Sequence, residues 1–540
     1  MEKETRIMKL NYAKTIEKWG IFEVTISGPK EGNPFCDQWI KGTFCCKNEK
    51  KTVDGFYDGD GAYKVRFMPS FTDKYTFEIE SSFDINAGEE VPEHKLGIAD
   101  GGKEAEKCAV RNMLTGSFTV TSPSEDNHGP VRVAGTYYLS YEDGTPYHCI
   151  GTTCYVWNLQ NEELQKQTLK TLEENAFNKI RFCIFPKHYD YNLHEPITYP
   201  YEGTPCDSSV LNESNFAEYN GCAPGNDWDF TRFNPAHFQH IEKCIQALMN
   251  LGIEADLIVM HPYDRWGFSM MKAEDDDRYW KYVLARFSAY RNVWWSLANE
   301  YDLMHEKTLS DWERYASIIC EKDPYHHLRS IHNCKAYYDY NLPWITHCSI
   351  QRTETYRSSE LVNEWREKYH KPVILDEICY EGNIQFGWGN ISGEEMTRRF
   401  WEAFCRGGYP GHGETYLSPD RILWWSHGGV LHGTSPDRIR FLAKIMEETP
   451  GLGVEPMPCK WDEVACRATG FPARKDYFIY YYSFMRPGFR DFYFDDTTEY
   501  QVEIIDTWEM TITDGGIHKG KFRVQLPGKE YMAVRLQIAK

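Results

Sequence analysis

Apolar and polar residues alternate with a period of two in the first part of the chain. From about residue 9 to residue 122, short segments such as GIFEVTISG and AYKVRFMP are separated by turn residues such as the DGDG at 58–61. A period of two places alternate side chains on opposite faces of a strand, and frequent turns are typical of antiparallel sandwiches. We therefore predict an N-terminal immunoglobulin-like β-sandwich over residues 1–125.

The pattern changes over residues 126–450, where short apolar runs alternate with amphipathic segments such as NEELQKQTLKTLEENA and PAHFQHIEKCIQALMNL. Strand–helix units repeated in this way favour a parallel sheet, and eight of them predict a (βα)8 TIM barrel of the α/β class. The predicted strands cover 148–156, 178–185, 253–260, 292–297, 328–332, 346–351, 372–375 and 422–425.

Alternation with a period of two returns in the last part of the chain, in segments such as YFIYYYSF and EYQVEIIDTW. It predicts a C-terminal β-sandwich over residues 451–540. The expected architecture is thus a TIM barrel flanked by one sandwich at each end, and the sandwiches could cover the barrel or pair two copies of the chain into a homo-oligomer.

Composition narrows the choice of partner and compartment. The chain has 540 residues and a formal net charge of -20, which argues against nucleic acid because phosphate binding needs a basic surface. No run approaches the roughly 20 apolar residues of a membrane span, and the N-terminus has no apolar signal segment. The 17 cysteines are scattered without CxxC pairs, which favours a reducing cytoplasm.

Two glutamates stand at the ends of predicted strands. Glu300 follows strand four in RNVWWSLANEYDLM, and Glu377 follows strand seven in KPVILDEICYEG. Retaining glycosidases need two carboxyl groups about 5 Å apart, and a TIM barrel brings the C-terminal ends of its strands together at one mouth. The alternative, that each glutamate is a solvated loop residue or an ion-pair partner, is less favoured at these two positions.

The ANE after strand four and the LDE of strand seven resemble the clan A glycoside hydrolases. The resemblance implies that Glu300 is the acid/base, that Glu377 is the nucleophile and that Asn299 binds a sugar hydroxyl. It also implies that Arg181, at the end of strand two in NKIRFCIF, hydrogen-bonds the nucleophile. Apolar neighbours on both sides of Arg181 disfavour its being a surface arginine.

A closer resemblance extends over nearly the whole chain. The motifs GFYDGDGAYKVRFMPS, IGTTCYVW, HPYDRWGF, RNVWWSLANEYDLM, LRSIHN and GHGETYLSPDRILWWSHGGVLHG resemble bacterial glycoside-hydrolase-like proteins. These proteins join a domain of unknown function 5060, an apiosidase-like barrel (4038) and a domain of unknown function 5605. The resemblance implies a carbohydrate substrate, and we expect neither a cofactor nor a metal. Because DEI stands where such barrels often read GEP, apiose is not carried over as the sugar.

Further polar and aromatic residues follow the other predicted strands and are expected to contact sugar hydroxyls, with Trp425 as a stacking platform. A third carboxylate, Glu414 in GHGETY, is expected on a loop that reaches the pocket, as a sugar ligand or a substitute catalytic group. The strand-end residues are His261 and Asp264 after strand three, His332 and Asn333 after strand five, Gln351 and Arg352 after strand six, and Trp425 and His427 after strand eight.

Two other classes of function are open at this stage. A metal-dependent barrel hydrolase or isomerase could gather His188, His261, His332, His347 and His427, although strand one has no HxH pair. A non-catalytic carbohydrate-binding protein could use the sandwiches and the many aromatics. The paired glutamates favour a retaining hydrolase working by double displacement, and the long loops at 187–233 and 407–419 favour exo action on small oligosaccharides or glycosides.

Overall fold

The computed structural model describes residues 12–85, 113–189, 191, 196–209, 211–212 and 222–539. In its first part, a five-stranded sheet in the order β1-β8-β7-β3-β4 faces a three-stranded sheet in the order β2-β6-β5. Alternate side chains of both sheets fill the space between them, as in the stacked rings of Phe22 and Phe118 (centroids 3.9 Å apart) and of Phe44 and Phe67 (4.2 Å). The elements are β1 Thr15–Glu17, β2 Phe22–Ser27, α1 Pro34–Asp37, β3 Ile40–Cys45, β4 Lys50–Asp54, β5 Phe56–Tyr57, β6 Ala62–Phe67, β7 Lys74–Ser81 and β8 Met113–Thr121.

Eight parallel strands form the central barrel, as the sequence pattern predicts. The hydrogen-bonded order is β17-β16-β15-β12-β11-β21-β19-β18, and a parallel bridge between His332 and Ser349 joins the two ends of the sheet. After a hairpin of β9 Val131–Ala134 and β10 Tyr138–Tyr141, the elements are β11 Gly151–Thr153, α2 Glu162–Glu173, β12 Lys179–Cys183, β13 Tyr201–Thr204, β14 Asp227–Phe233, α3 Pro235–Asn250, β15 Glu254–Met260, α4 Ala273–Phe287, β16 Val293–Ala298, α5 Leu309–Lys322, β17 Arg329–Ser330, β18 Cys348–Gln351, α6 Val362–Tyr369, β19 Val373–Glu377, β20 Glu381–Gly382, α7 Gly393–Cys405, β21 Tyr409–His412, β22 Glu414–Thr415, α8 Trp424–His427 and α9 Ser435–Glu447.

The eighth barrel strand is β21, so its prediction at 422–425 is wrong. Residues 424–427 form the short helix α8, whereas β21 pairs with β19 on one side and with β11 on the other. The sequence YPGH has low strand propensity, but Gly411 makes the close approach of β21 to β19 possible. A Cβ at Gly411 would lie 2.8 Å from the carbonyl oxygens of Leu375 and Asp376.

The barrel interior contains charged side chains beneath its mouth. Lys179 on β12 lies 2.7 Å from Asp256 on β15 and 2.7 Å from Asp376 on β19, and all three are buried. Ion pairs at this depth need mutual compensation, since an unpaired buried charge is costly. The three side chains therefore tie together strands that form different parts of the barrel wall.

The last part of the chain is a six-stranded sheet, β23-β24-β25-β30-β27-β28, with a two-stranded sheet of β26 and β29 packed on one face. The other face packs against the barrel, where the rings of Trp401 on α7 and Tyr481 on β25 stack with centroids 5.6 Å apart. The described helices include none that is long and apolar enough to cross a membrane. The strands are β23 Val454–Pro456, β24 Val464–Ala468, β25 Tyr477–Tyr481, β26 Phe489–Tyr493, β27 Tyr500–Asp506, β28 Thr511–His518, β29 Lys521–Gln525 and β30 Met532–Ile538.

Candidate active site

A cavity of about 270 Å³ opens at the C-terminal ends of the barrel strands. Its walls are largely aromatic, and its charged lining residues are Glu300, Glu377, Lys187 and Lys335. Aromatic faces and a few converging polar groups are the usual composition of a small-molecule site. The aromatic lining residues are Tyr155, Tyr189, Tyr263, Tyr380, Trp388 and Trp425.

Glu377 is the last residue of β19 and is held among hydrogen-bond donors. Its Oε1 accepts hydrogen bonds from the Tyr155 hydroxyl and from Nη1 of Arg181 (3.0 Å), and His332 Nε2 lies 3.4 Å away. Burial raises the pKa of Glu377, but the bonds and charges of His332, Arg181 and Tyr155 outweigh burial and hold it well below the usual range. Glu377 is therefore a charged carboxylate at neutral pH.

Glu300 lies two residues beyond the end of β16, in a left-handed backbone conformation with φ 51° and ψ 54°. Such a conformation costs a non-glycine residue on the order of 1–3 kcal/mol and persists where surrounding contacts impose it. Three uncharged donors hold its carboxyl group: the Tyr263 hydroxyl, Asn299 Nδ2 (3.2 Å) and Gln351 Nε2 (2.9 Å). Neutral donors thus hold Glu300, whereas the Arg181 cation contacts Glu377.

Asn299 links the two carboxyl groups. Its Oδ1 accepts a hydrogen bond from Nη2 of Arg181 (3.0 Å), and its Nδ2 donates to Oε2 of Glu300. Since Arg181 also bonds to Glu377, one arginine and one amide connect both glutamates across the barrel mouth. The residues named from strands two, four and seven therefore converge on one place.

His332 connects the pocket to the charged barrel interior. Its Nδ1 lies 2.9 Å from Ser349 Oγ, and Ser349 in turn donates to Asp376 (2.5 Å). Its Nε2 lies 3.1 Å from Oε1 of Gln351, the side chain that donates to Glu300. His332 thus contacts both catalytic candidates, directly or through one neighbour, and is placed to orient them.

Trp425 lines the cavity from α8, since it does not lie on a strand. Its ring is 5.7 Å from that of Tyr155 in an edge-to-face contact and 5.2 Å from that of Trp388. This position allows a sugar face to stack on it. His427, at the end of the same short helix, is buried and does not line the cavity.

The motif HPYDRWGF contributes a different residue from those predicted. His261 and Asp264 are buried outside the cavity lining, and Asp264 accepts hydrogen bonds from the main-chain N–H groups of Trp266 (2.9 Å) and Ser269 (2.7 Å). Tyr263, between the two, lines the cavity and bonds to Glu300. Asp264 therefore shapes the loop that presents this tyrosine.

Glu414 lies outside the lining of the cavity. Its carboxyl group accepts hydrogen bonds from the main-chain N–H groups of His432 (2.5 Å) and Gly433 (2.8 Å), in the segment before α9. Burial is the main cause that raises the pKa of Glu414 to about 8, despite these two bonds. Its contacts make it a support for this loop.

In the part of the chain that the structure describes, one cluster of three side chains has the spacing of metal ligands. It consists of Glu381, His412 and Glu414, whose candidate ligand atoms lie within 4.8 Å of one another. Glu381 accepts hydrogen bonds from the N–H groups of Thr434 (2.7 Å) and Ser435 (3.0 Å) at the start of α9. The Glu381 carboxylate thus lies at the positive end of α9, which stabilises its negative charge.

Several lining residues were not singled out from the sequence. They are Tyr155, Lys187, Tyr189, Tyr380 and Trp388. Tyr155 falls inside predicted strand one (148–156), although in the structure it stands two residues beyond β11, so the predicted strand end concealed it. Tyr380 and Lys187 follow predicted strands seven and two by five and two residues, and position after a strand was the available signal for both. Tyr189 lies further into a long loop, where the sequence carries no such signal.

Family models match three segments of the chain. Residues 134–439 match the apiosidase-like catalytic domain, residues 15–82 match a domain of unknown function (DUF5060), and residues 461–537 match another (DUF5605). The first match covers the barrel and contains both strand-end glutamates. No curated protein matches the chain significantly.

Two solved structures from Bacteroides vulgatus ATCC 8482 are similar to this chain. One, titled "putative glycoside hydrolase", is 37% identical with a TM-score of 0.84, over 98% of this chain and 100% of that chain. The other, a glycoside hydrolase family 5 protein, is 16% identical with a TM-score of 0.57, over 76% of this chain and 94% of that chain. At that identity the second shares the fold only.

Proposed function

Because this chain belongs to the apiosidase-like family of glycoside hydrolases and is a glycosidase, we propose that it cleaves glycosidic bonds with retention of anomeric configuration. Glu377 is the nucleophile in this proposal, and Glu300 is the acid/base. The observation that carries it is that both glutamates line one cavity and are bridged by Arg181 and Asn299. The Arg181 cation contacts Glu377, and the neutral donors Tyr263, Asn299 and Gln351 contact Glu300. A retaining mechanism needs one carboxyl group charged and the other protonated.

In the first step, an oxygen of Glu377 forms a bond to the anomeric carbon while the bond from that carbon to the leaving oxygen breaks. The proton of Glu300 moves to the leaving oxygen. In the second step, water attacks the anomeric carbon, Glu300 takes the water's proton, and the bond to Glu377 breaks. Arg181 and Tyr155 donate to Glu377 before and after each step and orient its attack.

The size of the cavity supports exo action on small glycosides. Its volume of about 270 Å³ is near the low end of ligand pockets, which leaves room for one sugar ring. The walls around that ring come from aromatic side chains at 155, 189, 263, 388 and 425. A long polysaccharide would need an open groove instead.

Replacement of the nucleophile tests the mechanism. Glu377→Ala should reduce turnover of an aryl glycoside by about three orders of magnitude or more, because no covalent intermediate forms. Added azide should restore turnover and give a glycosyl azide of inverted configuration. The wild-type enzyme should release the sugar in the same anomeric form as the substrate, as observed by proton NMR in the first minutes.

Glu354→Ala is the matched control, because this carboxylate pairs with Arg352 and does not line the cavity. It should keep near wild-type turnover. Full activity in Glu377→Ala, or an inverted first product from the wild-type enzyme, would rule out the assignment.

A further inference from the structure

His332 lies beneath the nucleophile, and none of its surface is exposed to solvent. Its ring Nδ1 lies 2.9 Å from the Ser349 hydroxyl oxygen. Its Nε2 lies 3.1 Å from Oε1 of Gln351 and 3.4 Å from Oε1 of Glu377. A neutral imidazole donates from one nitrogen and accepts at the other, whereas an imidazolium donates from both. The hydrogen atoms of these three neighbours therefore decide the charge of the ring.

On the Nδ1 side, the Ser349 hydroxyl has already donated its only hydrogen. It donates to Oδ2 of Asp376 (2.5 Å), whose other oxygen lies 2.7 Å from Nζ of Lys179. Burial raises the pKa of Asp376, but the charges of Lys179 and Arg181 outweigh burial and hold that pKa well below its usual range. Asp376 is thus an ion that can only accept. The Ser349 oxygen must then accept from His332, so Nδ1 carries a hydrogen.

On the Nε2 side, both neighbours are acceptors. The amide nitrogen of Gln351 donates to Oε1 of Glu300 (2.9 Å) and lies 3.8 Å from Sγ of Cys334, so its oxygen is the atom that faces the ring. The second neighbour is a carboxylate oxygen of Glu377. A lone pair on Nε2 would face the lone pairs of two oxygens, one of them charged. Nε2 of His332 therefore carries a hydrogen as well.

Charge balance leads to the same state of the ring. If His332 is neutral, the ion pairs beneath the mouth contain one more carboxylate than cations. The cations are Lys179 and Arg181, and the carboxylates that they contact are those of Asp256, Asp376 and Glu377. A net charge in the interior is costly unless it is compensated. A protonated His332, in contact with Glu377, makes the positive and negative charges of this group equal.

We propose that His332 is an imidazolium in the resting enzyme, and that its charge favours release of the sugar from Glu377. The protonation rests on the hydrogen bonds alone, whereas the role in release rests on the proposed function, since it takes Glu377 as the nucleophile. In the covalent intermediate Glu377 is an uncharged ester, so the group holds one cation too many. When water attacks the anomeric carbon, the electron pair of the broken bond returns to Glu377, and the charges are equal again. His332 keeps both hydrogens throughout, because the proton of the water goes to Glu300.

Nitrogen NMR of protein labelled with 15N at histidine measures the protonation directly. At about pH 8 an ordinary histidine is mostly neutral, but His332 should show a directly bonded hydrogen on each ring nitrogen. The spectrum of His332→Gln assigns its signals by their loss. His347 is the matched reference, because burial lowers its pKa to about 4 and one of its ring nitrogens should have no hydrogen. A ring nitrogen without hydrogen in His332 would overturn the proposal.

Steady-state and burst kinetics test the role in sugar release. His332→Gln can still donate to Glu377 but has no charge, so it should slow the second step more than the first. With an aryl glycoside, kcat and KM should both fall by about tenfold while kcat/KM changes little, and a burst of released phenol should match the enzyme concentration. His347→Gln is the control, and its KM should stay near that of the wild type. Circular dichroism should show that both variants are folded.

The outcomes separate this proposal from the proposed function. If the wild-type enzyme releases a retained product but His332 has only one ring hydrogen, the imidazolium is refuted and the retaining mechanism stands. If His332 has both hydrogens but the first product is inverted, the retaining mechanism fails and the imidazolium stands. If KM is unchanged in His332→Gln and only kcat/KM falls, the role in sugar release is refuted.

Discussion

The charge on Glu377 depends on side chains from three different strands or strand ends. Arg181 comes from β12, Tyr155 follows β11, and His332 follows β17. Each favours the charged form of the carboxyl group, against burial, which favours the neutral form. The proposed mechanism needs Glu377 to be charged when it attacks, so it predicts that the acid limb of the rate profile reports on these contacts.

Tyr155→Phe should therefore move the acid limb of kcat/KM to higher pH, by about one unit. The sign follows because the tyrosine hydroxyl lowers the pKa of Glu377, and its removal lets that pKa rise. The measurement is kcat/KM for an aryl glycoside as a function of pH. Tyr279→Phe removes an equally buried hydroxyl that donates to a main-chain carbonyl, and it should leave the limb in place. Equal shifts in both variants would contradict the role of Tyr155.

At the scale of elements, the start of α9 is built around two buried carboxyl groups. Glu381 and Glu414 accept four main-chain hydrogen bonds from residues 432–435. Burial raises the pKa of both, but hydrogen bonds from Ser435 and Thr434 leave that of Glu381 below its usual value. The charge on Glu381 adds to burial at Glu414, whose pKa rises to about 8. The loop is therefore most stable when Glu381 is ionised and Glu414 is protonated.

Wild-type protein should lose stability as pH rises from about 5 to about 9, by up to about 1.4 kcal/mol per pH unit from Glu414. Its folded pKa is raised above the unfolded value, so the folded state holds the proton more tightly and loses that advantage when the proton leaves. The glutamine of Glu414→Gln cannot ionise, so the free energy of unfolding measured in urea should depend less on pH in this variant. Glu447→Gln, an exposed change on the same helix, should keep it. If the free energy of unfolding of Glu414→Gln depended on pH as strongly as that of the wild type, protonation of Glu414 would be contradicted.

At the scale of the whole molecule, a buried ion cluster joins the N-terminal sandwich to the barrel. Arg66 on β6 bonds to Glu242 on α3 (2.6 Å), and Arg286 on α4 bonds to both Glu242 (2.7 Å) and Asp58 (2.7 Å). All four are buried, so the loss of one leaves the others uncompensated. The sandwich and the barrel are therefore expected to unfold together.

Glu242→Ala should lower the free energy of unfolding by about 3 kcal/mol, because it leaves two arginines facing each other without their shared carboxylate. Chemical denaturation followed by tryptophan fluorescence measures the change. Glu80→Ala breaks the exposed pair with Lys41 and should cost about 1 kcal/mol or less. If the two variants lose equal stability, the cluster does not couple the sandwich to the barrel.

The sequence by itself determined the architecture, because strand and helix periods are local properties that each segment of the chain expresses alone. It also led to Glu300 and Glu377 as catalytic candidates, since the end of a barrel strand can be read from where an apolar run stops. The tertiary structure alone decided which segment forms the eighth barrel strand and which loop residues line the pocket. Gly411 lets β21 complete the barrel although the sequence of β21 has a low strand propensity. Loop packing directs Tyr263 and Lys187 into the pocket, whereas Asp264 accepts hydrogen bonds from main-chain N–H groups. Such choices depend on contacts between segments distant in sequence, which no local pattern encodes.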